Sequence, residues 1–369
     1  MVLDEREFIN ILLRHRVKRR IFPKPNKPSM TTSFLCTRSI ATVIAALSFS
    51  GLVASSSFAQ TTATTIPVGF ITKTVPAAPA AGNPASVVIS VPLYATAVFT
   101  SAVASVDSAT TFTMSSATWT AGQFADPLAP YLVRIKTGAN TGLFFAVSAN
   151  TTNQLTVLLP PAVGSLVGTL NIGDSCEILP ANTLASVFGT PPTLTGGASL
   201  VAADNVYLFN GTSWVAYYYS TAGFWKQSGN ANRNNVVIYP DDLVFISRKD
   251  TTGPAAITLM GTVPSTSEKS EIATGSTAFA NRFPVDLTLG GLGLQSIPGW
   301  VAGTTASNSD NVYLFNGTAW VKYYYSTAGF WKQSGNTNQD ATPIPAGSGV
   351  FVVRAGSLAL LTQALPYTP

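Results

Sequence analysis

The chain has 369 residues, with 46% hydrophobic and only 10% charged positions, where an ordinary globular chain carries about 25% charged residues. Its formal charge of +5 is a property of the first 59 residues, which hold nine Lys/Arg and three Asp/Glu; the remainder holds twelve against thirteen, a net of −1. The later chain thus gives no support for a nucleic-acid or acidic-membrane partner, and with its one histidine at position 15 it lacks the means for a Ser-His-Asp triad.

Residues 1–59 read as a leader. Arg38 precedes an apolar run over 40–54, followed by Ser55-Ser56-Ser57-Phe58-Ala59. Small residues at Ser57 and Ala59 satisfy the signal-peptidase rule, so the mature chain is expected to start at Gln60. The run is shorter than the ~20 residues that cross a bilayer, and no second apolar span follows, so no membrane span is expected in the mature chain. The stretch 1–29 is long and basic, and Met30 stands as an alternative start. Cys36 precedes the apolar run, which argues against lipoprotein processing. The expected localisation is secreted or cell surface.

After the leader, short alternating runs punctuated by Gly, Asn, Pro and Ser predict strands over 68–75, 86–91, 131–136, 143–148, 155–159, 206–209, 214–219, 243–248 and 350–354. In 131–136, Tyr131, Val133 and Ile135 fall on one face; Leu132, Arg134 and Lys136 fall on the other. No helical stripe of ten or more residues follows the leader. The remaining cysteine, Cys176, lies in a strand-like Asp-Ser-Cys-Glu-Ile-Leu run, read as a small buried hydrophobe; a reactive thiol or intermolecular bridge is the alternative. With no histidine to activate it, a catalytic thiol is disfavoured.

The stretch 204–230 recurs at 310–336, an offset of 106 residues, with two differences: Ser213 becomes Ala319 and Ala216 becomes Lys322. Such a repeat marks one folding unit present twice. Within it, Asn210-Gly211 and Asn316-Gly317 predict a hairpin turn with both turn residues at positive φ. Looser matches at the same offset join 241–248 to 347–354. Thr183-Leu184 matches Thr288-Leu289, Thr74-Val75-Pro76 matches Thr262-Val263-Pro264, and 87–93 loosely resembles 280–285. The expected fold is all-β: two related β-sandwich-like repeat units plus an extra small β-barrel or sandwich domain. The expected domains are the leader 1–59, a first unit from 60–94 and 180–255, the additional domain 95–179, and a second unit 256–369. Residues 95–179 are either inserted into the first unit at a surface loop or simply the second of three successive domains.

Taken as a series, Val68-Gly69-Phe70, Ser90-Val91-Pro92-Leu93, 119–124 (Trp-Thr-Ala-Gly-Gln-Phe), Gly173-Asp174-Ser175, 204–209 and 350–354 resemble an uncharacterised family of exported β-rich repeat proteins of Verrucomicrobia-type bacteria. The resemblance covers most of the mature chain. It implies export and β architecture, and it implies no activity and no catalytic residues.

The chemistry-bearing residues are few. The repeat places Trp214, Tyr218 and Trp225, and again Trp320, Tyr324 and Trp331, as candidate ligand-binding aromatics on which a sugar ring could stack. The competing reading is cross-strand aromatic pairing inside a sandwich. Lys226, Lys332, Arg248 and Arg354 are placed for cation–π contacts. Asp241-Asp242 is the adjacent acid pair, but strand neighbours diverge, and the second copy has Gly347-Ser348 there, against a glycosidase dyad. Asp204 and Asp310 suit a calcium site or, more simply, an Asx turn. No cofactor and no metal site is expected. These features point to a non-enzymatic structural or adhesive protein. The alternative is a carbohydrate-binding module using the repeated aromatics, and a histidine-free glycosidase is the third reading. The partners expected are a second copy or an extracellular polysaccharide, and not nucleic acid.

Overall fold

The computed structural model describes Leu3, Asp4 and residues 66–368. The leader's apolar run, the Met30 alternative and the cut before Gln60 lie outside the described residues. The fold is all-β. A two-residue strand β1 (Leu3–Asp4) pairs with Trp320 and Ala319. β2 (Val68–Val75) and β3 (Ala85–Ile89) belong to a first sandwich. The chain then builds a closed barrel from β4 (Phe99–Val106), β5 (Thr111–Met114), β6 (Tyr131–Ile135), β7 (Phe144–Asn150), β8 (Gln154–Leu158) and β9 (Ser175–Pro180), ordered β4-β5-β8-β7-β6-β9.

The barrel follows from the period of two. Val133 and Ile135 point inward with Phe112, Phe145, Leu155, Cys176 and Ile178, while Leu132 joins a separate cluster outside. Closure leaves no unpaired edge. Register shifts at Val103/Ser105 and Val147/Ala149 supply the bends.

After the barrel the chain returns through α1 (Leu184–Phe188), β10 (Asn205–Phe209), β11 (Trp214–Tyr219), β12 (Trp225–Lys226), β13 (Val244–Arg248) and β14 (Ala255–Thr262). Thr183 and Ser186 cap α1 reciprocally. The first sheet is ordered β12-β11-β10-β13-β3, and the β14-β2 ribbon covers one face. The rest of the chain gives β15 (Glu268–Ile272), β16 (Gly275–Ala280), β17 (Leu287–Thr288), β18 (Asn311–Phe315), β19 (Ala319–Tyr325), β20 (Trp331–Lys332), β21 (Pro343–Ile344), β22 (Gly349–Arg354) and β23 (Ala359–Gln363). Its sheet runs β20-β19-β18-β22-β16 under a β15-β23 ribbon. Position by position this is the order of the first sheet, with β3 answering to β16 and the barrel lying in the chain between β3 and β10.

Pairing corrects two of the looser sequence matches. Val75 sits opposite Ala255, and the place of that pair in the second sandwich is taken by Ile272 opposite Ala359. Val75 therefore answers to Ile272, and Thr262 ends β14 instead. Ile89 opposite Val244 answers to Phe279 opposite Val350, which lies just before the 280–285 stretch that the letters match. Register follows which residues are buried, and the letters of β2 and β3 are free to drift. The Thr183-Leu184 match agrees with the pairing: Leu184 N–H donates to Val236 O at 3.1 Å and Leu289 N–H to Thr342 O at 2.8 Å.

The Asn-Gly hairpins sit where the sequence places them, with a different turn. Phe209 pairs with Trp214, so the loop has four residues, 210–213. Only Gly211 takes positive φ, at 90°. Asn210 instead folds an Asx turn, its Oδ1 accepting from Thr212 N and Ser213 N at 3.1 and 2.8 Å. Asn316 repeats this with Thr318 N and Ala319 N at 3.0 and 2.8 Å.

Candidate functional site

The repeated aromatics divide between the two faces of each sheet. Tyr217, Trp225 and the partly buried Tyr219 pack under the β14-β2 ribbon, as Tyr323, Trp331 and Tyr325 pack in the second sandwich. The opposite faces of the two sheets meet each other through Tyr207, Phe209, Trp214 and Phe245 on one side and Tyr313, Phe315, Trp320 and Phe351 on the other. The contacts are reciprocal. Phe209 meets Phe351 at 5.2 Å and 84°, and its counterpart Phe315 meets Phe245 at 5.3 Å and 77°. Trp214 lies 6.0 Å from Phe351, and Trp320 lies 6.3 Å from Phe245. Residue i touches j′ and i′ touches j, the signature of an isologous dimer contact made here within one chain.

This arrangement overturns the solvent-facing reading of the aromatics. Trp214 is 8% exposed, Tyr218 7%, Trp225 0%, Trp320 2%, Tyr324 7% and Trp331 0%. A sugar-stacking platform needs an open ring face, and none of these six offers one. The Trp225 indole donates to Gly189 O at 3.0 Å and the Tyr324 hydroxyl to Thr304 O at 3.3 Å. Lys226 and Lys332 do form cation–π contacts, with Phe224 and Phe330 at 5.2 and 5.0 Å.

The repeated acids are clamps. Asp204 accepts from Thr195 N (2.8 Å), Lys249 N (2.7 Å), Asp250 N (3.2 Å) and the Arg248 guanidinium (3.0 Å). Asp310 accepts from Val301 N and Ala355 N at 2.8 Å each, with Arg354 Nε 3.9 Å away. Both carboxylates accept backbone N–H groups beside the ends of β13 and β22. Among the described residues no group of three or more His, Cys, Asp or Glu is placed to hold a metal ion. Cys176 lies in the barrel core, and burial pushes its thiol up to about 12.

A larger ion network escaped the sequence reading. Glu268, fully buried on β15, takes Arg134 of the barrel on one oxygen and Arg282 on the other, each at 2.5 Å. Arg134 also reaches Thr266 Oγ1 at 2.7 Å and lies 3.6 Å from Glu177, which Lys136 pairs in turn. Arg282 adds Ser270 Oγ at 2.7 Å, Lys269 O at 3.0 Å and the Tyr94 hydroxyl at 3.3 Å. The Phe144 ring lies against both guanidiniums, at 5.7 and 5.1 Å. Burial pushes the Glu268 carboxyl up from its ordinary value, against the pull of Arg282 and Arg134. The one available signal was an arginine inside the apolar run Tyr131-Leu132-Val133-Arg134-Ile135.

Beside this network a cleft of about 320 Å³ opens between the barrel, the turn before β13 and the β15 and β16 strands of the second sandwich. Leu143, Phe144, Leu158, Leu159 and Pro160 from the barrel line it together with Tyr239, Asp241, Asp242, Lys269, Glu271 and Arg282. Asp242 folds back on its own turn, Oδ2 accepting from Tyr239 N at 2.7 Å, and Glu271 accepts from Ala162 N at 2.5 Å. Burial and the neighbouring Asp241 push the Asp242 carboxyl up to about 8, and burial raises Glu271 as well, with Asp241 adding to the effect. Lys269 is lowered by burial. A carboxyl raised in the fold binds its proton more tightly there than in the unfolded chain, so stability falls as pH rises from the usual carboxylate range toward 8. Asp242→Asn, which keeps the acceptor for Tyr239 N, is expected to flatten that slope in urea midpoints measured from pH 5 to about 8.5. An unchanged slope sinks the assignment.

Comparison with known proteins finds no matching protein family, no matching curated protein and no matching solved structure.

Proposed function

We propose that the chain is a non-enzymatic structural or adhesive β protein, secreted or displayed on the cell surface. The observation that carries this reading is the fate of the repeated aromatics. The most distinctive residues of the sequence serve to join one sheet to another, and the buried Asp–Arg and Glu–Arg pairs fasten strand ends and neighbouring modules. The leader, the low charge of the later chain and the resemblance to exported repeat proteins support the location. Self-association, on this reading, uses the outer face of the β2–β14 ribbon. There Phe70 (73% exposed) lies directly opposite Met260 (75% exposed), with Val68 alongside. An open apolar face of this kind is where soluble chains meet partners, and a second copy is the partner proposed.

The test is made on protein recovered from outside the cell. Its amino terminus is expected at Gln60, and light scattering is expected to rise with concentration and to fall back to monomer in Phe70→Ser/Met260→Ser. Retention of the full chain in the cytoplasm would overturn the location. A strict monomer at high concentration would overturn self-association. Retention on insoluble polysaccharide, undiminished by exposed-surface substitutions of the ribbon, would favour the carbohydrate-binding alternative through residues other than the six buried rings.

A further inference from the structure

We propose that the cleft beside Asp241, Asp242 and Glu271 is a binding site for a small organic cation, an ammonium group carried on an apolar chain or ring.

The internal repeat supplies the control. The same backbone groove is built twice, where a hairpin tip meets the turn before β13 or β22 and the edge strand of the opposite sheet, β16 or β3. One lies at Phe209 and Gly211, the other at Phe315 and Gly317. The turn is alike in both: Asp242 N–H donates to Tyr239 O at 3.0 Å and Ser348 N–H to Pro345 O at 3.1 Å. The second groove, about 200 Å³, has no carboxylate in its lining. The fold therefore does without acids at this place. They appear only in the copy that the barrel deepens with an apolar wall.

The three acids outnumber the two cations of the cleft, Lys269 and Arg282, although Asp241 acts electrostatically on Arg282. Among the described residues no Lys or Arg nitrogen forms an ion pair with Asp241, Asp242 or Glu271, and the cations nearby are engaged elsewhere. Lys269 Nζ donates to Ala139 O and Asn140 Oδ1 at 2.7 Å each, and Arg282 is held by Glu268. The carboxylates sense one another, since Asp241 raises both Asp242 and Glu271, and Asp242 with Asp241 helps hold the Tyr239 phenol up. A cation entering this space relieves that repulsion and draws protons off the raised carboxyls. The groups do not converge as a metal cage does. Separated carboxylates suit an ammonium with several N–H donors. Phe144, Leu158, Leu159 and Pro160 suit its hydrocarbon part, and the volume lies at the small end of ligand pockets.

The test is calorimetry on the exported chain with benzylamine and cadaverine as probes and benzyl alcohol as the neutral control, at pH 7.5. Amine binding is expected, with proton release detected by comparing buffers of different ionisation enthalpy. Affinity is expected to fall about tenfold in Asp241→Asn and again in Glu271→Gln. Leu159→Trp, which fills the cleft and leaves the carboxylates in place, is expected to abolish binding; Ser348→Ala in the other groove is expected to change nothing. The proposal fails if neither amine binds at millimolar concentration, if benzyl alcohol binds as well as benzylamine, or if the carboxylate variants, shown folded by circular dichroism, bind like the parent.

Discussion

Glu268→Gln is expected to lower the stability of the chain by about 3–5 kcal/mol, the cost of removing one partner from a buried charge network. The side chain keeps its size, so no cavity forms; the loss is electrostatic. Arg134 and Arg282 would be left with an amide between them, both guanidiniums almost wholly buried. Arg134 Nε and Arg282 Nε already lack hydrogen-bond partners, so the cluster holds no spare acceptors to compensate. Lys136→Met, which removes the partly exposed end of the same network, is expected to cost less than about 1 kcal/mol. Urea unfolding followed by tryptophan fluorescence compares the two. Equal losses, or a Glu268→Gln loss below about 1 kcal/mol, would show that water reaches the network and that it does not fasten the barrel to β15.

The sequence carries the local structure far better than the surfaces between modules. Val68–Val75 and Trp214–Tyr219 are legible to the residue because alternation and flanking turns bound them on both sides. The correspondence of β2 with β15 is not legible, because a ribbon strand needs only a pattern, and Val75 and Ile272 share no neighbouring letters. Strand alternation puts Tyr217 and Tyr219 on one face and Trp214 and Tyr218 on the other, and the expectation that this second face offers its rings to a ligand is the part that fails. What covers the second face cannot be read from a strand alone. A signal was nevertheless present: Phe209, Trp214 and Phe245, on three adjacent strands, all fall on the face opposite the ribbon, and three large rings on one sheet face argue for a covered face. The cleft was half legible. Asp241-Asp242 stands out in the text, and its replacement by Gly347-Ser348 in the other copy is visible there. Glu271 comes from another sandwich and Leu159 from the barrel, and only tertiary folding brings them to the same space. Glu268 shows the same limit, since both of its cationic partners are distant in sequence or on another strand.

Trp320→Ala is expected to cost about 3–5 kcal/mol, the usual penalty for emptying a fully buried aromatic site. Trp214→Ala, its counterpart, is expected to cost less, because Trp214 keeps 8% of its surface open against 2% for Trp320. The more diagnostic quantity is the coupling. If the two sheets meet as the geometry describes, Trp320 loses part of its partner when Phe245 is truncated, and Trp214 loses part of its own when Phe351 is. Each double-mutant cycle is expected to return a coupling of about 0.5–1.5 kcal/mol. The crossed pairs, Trp320 with Phe351 and Trp214 with Phe245, lie 6.1 Å apart within their own sheets and are expected to couple as well. A pair far from the interface, such as Trp320 with Phe112 in the barrel core, is expected to be additive. Equal stability losses with zero coupling across Trp320–Phe245 and Trp214–Phe351 would mean that the aromatic faces contribute only to their own sandwiches. The repeat would then be two neighbours on a string, with its second apolar face left to be explained by something outside the chain.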